Sequence, residues 1–324
     1  MEGKIVFLQS RAGLPNTGGS KAWNSIIDYV QPLYAESLLC LKRAAAKTSP
    51  LIRQAVTEML NQGERICPAL FLAIVKQHHE DNTRMVRYAA SLEALDLALR
   101  IHRSLNRNPS TNTGADTTAI LAGDFFFSQS LTLAGDAPIF IKGMAEIIYR
   151  AVSSEIDGLS VNSDISVWRK NYLRKLSDGF ASILALSATL AGWCCQMEPW
   201  QNEALAYYGH YVGMGLQLKQ ELMSFQQEKD MALKIYNLSL PLIYVLEHSQ
   251  NQKDLLAQLM KGSLRLQDEN LIQEYQQIKP ELYIKQIAGN CLSRARERLA
   301  LLRGSLTRNA EAILNCFTIV PELV

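Results

Sequence analysis

The sequence predicts an all-α protein, a single large helical bundle of about ten to twelve helices. Three observations carry this expectation. Apolar residues recur at three- and four-residue spacing along most of the chain, no stretch shows the two-residue alternation of a strand, and the breaks between periodic blocks are short. No linker is long enough to demand a second domain, so 1–324 reads as one domain, with 1–20 as a flexible N-terminal segment.

Taken in order, the first block runs over 23–47, where Ile26, Ile27, Val30, Leu33, Leu38, Leu39 and Leu41 make an amphipathic stripe. Blocks at 50–62, 68–79 and 83–107 follow, the first closed by Asn61-Gln62-Gly63, whose glycine can take the left-handed conformation that ends helices. A polar loop at 108–114 precedes blocks at 117–133 and 137–157. Between these two, Asp136 suits a cap and Pro138 the first turn. The block at 166–196 includes an uncharged stretch, 179–197, that approaches the length of a membrane span. Ser182, Ser187, Thr189, Gly192 and Gln196 interrupt it, so it reads as a helix enclosed by other helices, with no membrane span. Glu198-Pro199 breaks the chain, and blocks at 201–227, 231–249, 252–260, 267–277 and 281–303 complete the pattern.

Composition narrows the function. With 48% hydrophobic residues and 33 basic side chains against 31 acidic, the chain is neither disordered nor charged enough to seek nucleic acid. Cys40, Cys67, Cys194, Cys195, Cys291 and Cys316 form no C-x-x-C pair, and the adjacent two diverge by about 100° on a helix. They read as reduced thiols of a cytoplasmic protein. The apolar run at 5–8 is too short for the core of a signal peptide.

Chemistry enters through motifs. The stretch 93–105 lies on E-x-x-H-x-A-S-L-x-H-D-D-x-x-D, matching at Glu93, Ala98 and His102. Ile120-Leu121-Ala122-Gly123-Asp124-Phe125 matches L-x-G-D-x-L, and Tyr172, Ala181 and Ser187 match Y-x-x-x-x-x-x-K-T-A-x-L-x-x-x-S. Residues 208–217 match F-G-x-x-L-G-x-A-F-Q, and Leu238-Ser239-Leu240-Pro241-Leu242-Ile243 matches x-T-L-P-L-I. In this order and spacing the five resemble the trans-polyprenyl diphosphate synthases. The resemblance implies a bundle of the isoprenoid synthase type. It also implies a reaction joining isopentenyl diphosphate to an allylic diphosphate held by magnesium on two aspartate-rich motifs, since clustered carboxylates recruit the hard cations that neutralise a leaving pyrophosphate.

The departures fall on those sites. The first D-D-x-x-D becomes Arg103-Ser104-Leu105-Asn106-Arg107, and the second becomes Gln220-Glu221-Leu222-Met223-Ser224 after Gln217. The G-K-x-x-R that grips isopentenyl diphosphate reads Gly63-Glu64-Arg65-Ile66-Cys67. The K-T pair reads Gly179-Phe180, the later G-K-x-T reads Tyr236-Asn237-Leu238-Ser239, and the arginine pair after the first motif is missing. Unit charges at about 4 Å interact by roughly 4 kcal/mol at an effective dielectric of 20, so arginines in the first motif would repel a divalent cation. The expectation is no catalytic residue, no cofactor and no bound magnesium.

Glu93, Asp96, Arg100, Arg103 and Arg107 form a polar stripe on one helix. Arg100, Arg103 and Arg107 could bind a diphosphate directly, as guanidinium forks do. The favoured reading has them filling the emptied metal site, paired with Asp96, Glu93 or Glu221. His102 reads as structural for want of an acidic, Cys or His partner, His78-His79-Glu80-Asp81 as a solvated helix end, and Gly123-Asp124 as a tight helix-packing site. Phe125-Phe126-Phe127 suits a prenyl tunnel or a subunit interface, and Phe126 and Leu131 are expected in a dimer contact. The resemblance is closest to the degenerate, non-catalytic subunit of heteromeric long-chain synthases, which shows a His-Arg pair where the aspartates begin. The expected partner is a catalytic polyprenyl diphosphate synthase subunit, with a homodimer in its absence. The alternative is a binder of prenyl diphosphate or prenyl lipid in the old cavity.

Overall fold

The computed structural model describes residues 21–60, 65–78, 82–107, 113–135, 137–158, 164–227, 233, 235 and 238–319. Helices α1 (Lys21–Val30), α2 (Leu33–Ala46) and α3 (Pro50–Leu60) lead into α4 (Ile66–Val75) and the long α5 (Asn82–Arg107). They are followed by α6 (Thr113–Ala134), α7 (Pro138–Asp157), α8 (Ile165–Leu176), α9 (Ser182–Cys194) and α10 (Pro199–Gln227). The C-terminal part holds α11 (Leu240–His248), α12 (Gln252–Met260), α13 (Glu269–Ile278), α14 (Pro280–Leu301) and α15 (Arg308–Ile319). Among the described residues the only β-type pairing is one isolated bridge, Arg303 to Leu306.

The helices outnumber the expected ten to twelve for local reasons. Pro32 divides the first block into α1 and α2, because proline has no amide to continue the ladder. A π-type turn, Ser177–Ala181, separates α8 from α9 where Gly179 leaves helical geometry (φ −88°, ψ −119°). α15 lies beyond the last periodic block, and only Leu240–His248 of the block at 231–249 is a described helix. Pro138 does open α7, and Asp164 caps α8 by accepting from the Ser166 amide at 2.9 Å.

Two helices with apolar residues all round mark the centre. Every residue of α4 is buried, and α9, within the uncharged stretch that mimicked a span, is buried along most of its length. No helix among the described residues is long and apolar enough to cross a membrane. The main core joins α1, α4, α5, α7, α9, α10 and α15 through residues such as Phe71, Tyr88, Phe140, Leu184 and Phe317. A second cluster gathers α8 and α11 to α14 around Leu240, Val245 and Ile284, and a third seats α2 and α3 on α5 and α6 around Leu41, Leu97 and Phe126.

The glycines of the 208–217 motif explain how α10 meets this centre. A Cβ at Gly209 would lie 2.5 Å from the Leu184 carbonyl oxygen, and one at Gly213 would lie 2.6 Å from the Ala181 Cα. Backbone cannot yield as a side chain can, so only glycine lets α10 lie directly on α9 and the π-type turn.

Candidate functional site

Among the described residues, Arg65, Arg100 and Arg103 are the cationic side chains near the first-motif and G-K-x-x-R positions, and each is tied to a neighbour inside the protein. Arg65, immediately before α4, is 1% exposed, and its guanidinium lies 3.4 Å from Glu93 of α5. It also donates to the Met59 carbonyl, while its backbone amide donates to the Tyr34 hydroxyl at 3.3 Å. Burial pushes the Glu93 carboxyl up from its ordinary value, with Arg65 and Arg100 pulling it back down. Arg100 pairs with Asp96 one turn earlier on α5 and sits over the Phe180 ring, 5.7 Å from its centroid. Burial, reinforced by the like charges of Arg65 and Arg103, brings Arg100 down to about 10. Cys67 is fully buried beside these groups, and burial together with the Glu93 carboxylate raises its thiol far above its usual range. Such a thiol is inert as a nucleophile or ligand.

Arg103, which aligns with the first aspartate of D-D-x-x-D, reaches away from the expected partners. Its Nε lies 3.4 Å from Glu155 of α7, and Lys175 of α8 binds the same carboxylate at 2.7 Å. A Cβ on Gly179 would fall 2.5 Å from the Arg103 Nη2. The guanidinium therefore fills space left empty at the first position of the altered K-T pair, while Phe180, at the second, packs in the core beneath Arg100. This corrects the sequence expectation that Arg103 would pair with Asp96, Glu93 or Glu221. Residues 103 and 179 lie 76 positions apart, and no local pattern in either segment announces the pairing.

Glu221, the surviving acid of the second motif, is buried and accepts from the Leu240 amide at 3.4 Å. It caps α11, the helix that begins in the x-T-L-P-L-I match. Gln217 donates to Gln220 across one helical turn at 3.2 Å. Glu64 and Asn237 lie outside the described residues, as do His79, Glu80, Asp81 and Asp136; the side chains of His78, Ser104, Arg107 and Ser224 do so as well. Among the described residues no three His, Cys, Asp or Glu side chains gather as metal ligands.

Two other expectations change. His102 has an acidic partner after all, Asp124 at 3.6 Å across the α5–α6 contact. A Cβ on Gly123 would lie 2.7 Å from the His102 ring, so the Gly123-Asp124 pair is the tight packing site that its motif suggested. Phe126 is 0% exposed in the third core cluster, so it offers no dimer contact, while Leu131 is half-buried against the main core. The large apolar side chains that do face outward among the described residues of these helices are Ile120 and Leu121 of α6 and Ile139, Ile141, Tyr149, Val152 and Ile156 of α7. Among the described residues, a small cavity of about 140 Å³ opens at Arg103 between α5 and α7, against the several hundred Å³ of ordinary ligand pockets.

The polyprenyl synthetase family model matches residues 49–278. Heptaprenyl diphosphate synthase component 2 of Geobacillus stearothermophilus is 24% identical over 224 residues, covering 64% of this chain and 70% of that protein. Solanesyl-diphosphate synthase 2 of rice is 25% identical over 240 residues, 67% of this chain and 60% of that protein. Among solved structures, a polyprenyl synthase from Roseobacter denitrificans superposes with a TM-score of 0.76 at 18% identity, covering 94% of this chain and 99% of that one. The Caulobacter crescentus polyprenyl synthase complexed with calcium and isoprenyl diphosphate gives 0.77 at 14% identity, covering 92% and 96%. These structures share the all-α fold of the chain.

Proposed function

Because the chain belongs to the polyprenyl synthetase family, we propose that it is a non-catalytic subunit of a heteromeric polyprenyl diphosphate synthase in isoprenoid, quinone side-chain biosynthesis. It stabilises a catalytic partner or sets its product length. The observation that carries this reading is the Arg103–Gly179 exchange. At the lost first aspartate an arginine takes the space of a missing active-site side chain and turns it into a link between α5, α7 and α8. The residues do not fit magnesium. A hard octahedral cation needs several free oxygens, and here Glu221 is committed to α11 while Glu93 and Asp96 are buried against guanidiniums. The chain alone therefore does not catalyse prenyl elongation.

Two features favour a subunit over a binder of prenyl diphosphate in the old cavity. Space at Arg103 is small, and the outward apolar residues of α6 and α7 provide surface for a partner. The relative named as component 2 is in keeping with a multi-component enzyme. The partner is an intact D-D-x-x-D synthase, whose gene is expected near this one, and a homodimer forms without it. Co-expression with such a synthase should yield a co-purifying heteromer whose prenyl elongation is raised or redirected in length. Light scattering that shows a monomer at micromolar concentration, with no synthase retained in pull-downs, would defeat the proposal.

A further inference from the structure

A second cavity, a groove of about 450 Å³, lies between α7, α9 and α10, and none of the altered motif positions lines it. Its size falls within the range of small-molecule sites. The helices that build it run antiparallel in turn. Trp193 meets Phe140 and Leu186 stands against Gly143, so α9 runs opposite to α7; Leu184 meets Gly209 and Ala181 meets Gly213, so α10 runs opposite to α9. These directions place Arg150, His210 and Ser182 at one end of the groove and Ile139, Lys142, Thr189 and Leu190 toward the other, with Leu186 and Ile147 between them; the Thr189 hydroxyl is turned back onto the Ala185 carbonyl of its own helix, at 2.8 Å.

The charges follow the same axis. Burial lowers the His210 pKa, Arg150 lowers it further, and Asp178 opposes them, so at neutral pH the imidazole is an uncharged donor beside the Arg150 cation. Glu146 and Lys142 stand on the α7 rim farther along and offset each other formally. Among the described residues neither Arg150 nor Lys142 makes an ion pair. Tyr207 forms part of the α10 wall, and its ring is held by Arg298, 4.9 Å from the centroid, and by stacking on Tyr211. The wall is thus pre-formed, which lowers the ordering cost of binding.

We propose that this groove binds a single-chain amphipathic anion, its carboxylate or phosphate head at Arg150 and His210 and its apolar tail along Leu186 and Leu190. The site stands apart from the subunit reading, and its test needs no prenyl elongation. Titration calorimetry on the full-length protein with dodecanoate, dodecyl phosphate and the uncharged dodecyl maltoside, each below its micellar concentration, reads it directly. One or both anions should bind at least tenfold more tightly than the maltoside, and whichever binds more tightly identifies the head group. Arg150→Glu, a change at an exposed position, should weaken the anions at least tenfold without altering the thermal transition. Ala185→Trp should fill the trough and abolish binding of the tail. Failure of both anions to bind, equal binding of the maltoside, or unchanged affinity in R150E would overturn the proposal.

Discussion

Removing Glu93 should destabilise the protein more than removing Arg65, although the two form one ion pair. Their side chains are 0% and 2% exposed and 3.4 Å apart. At an effective dielectric of 20 the attraction is roughly 5 kcal/mol, a gain that desolvation of both ions largely offsets. The net pair is therefore worth little, but breaking it is costly, about 3–5 kcal/mol, because one charge stays buried without compensation. The structure makes that cost unequal. Without Arg65, Glu93 still has the field of Arg100, whereas without Glu93 the guanidiniums of Arg65 and Arg100 repel each other in the core. Glu93→Leu should therefore fall at or above the upper end of that range and Arg65→Met near its lower end. The double variant should lose less than the two single losses added together, giving a coupling energy of about 2 kcal/mol or more. Urea unfolding of the four proteins measures all three quantities. Equal single losses, or losses that simply add, would refute the account of the cluster.

Other outcomes follow from close packing and titration. Gly209→Ala should lower stability by about 1–3 kcal/mol in the same assay, since its methyl group meets backbone. Phe126→Asp should unfold the protein rather than dissociate it, as truncation of a buried phenylalanine alone costs about 3–5 kcal/mol; Ile156→Asp, 61% exposed on α7, should leave the monomer's thermal transition intact and weaken only association, read by light scattering. His210 has a lowered pKa in the folded chain, so it contributes stability above the unfolded value of 6.5 that is lost as pH falls through the folded one. His210→Gln should flatten the decline in unfolding free energy between pH 7 and pH 5, read by urea unfolding, to which one proton contributes no more than about 1.4 kcal/mol per pH unit.

The fold was legible because periodicity is local. The stripe from Ile26 to Leu41 and the apolar run of α4 each show their environment within a few turns. The motif glycines were legible as motif, and the reason for them, backbone against backbone at Gly209 and ring against backbone at Gly123, needed coordinates. What stayed hidden depends on pairs far apart in sequence. Arg103 with Gly179, Glu221 with Leu240, and Arg65 with Glu93 join segments whose spacing carries no period. Phe126 was misplaced for a related reason, since an aromatic run says that a surface is covered and not whether helix or partner covers it.

If this synthase fold carries a site closed by its own arginines, the purified chain should not elongate prenyl diphosphates. Radiolabelled isopentenyl diphosphate, farnesyl diphosphate and magnesium should give no product above a no-protein control, and product should appear only when an intact synthase partner is added. Elongation by the chain alone that survives repurification would contradict the account.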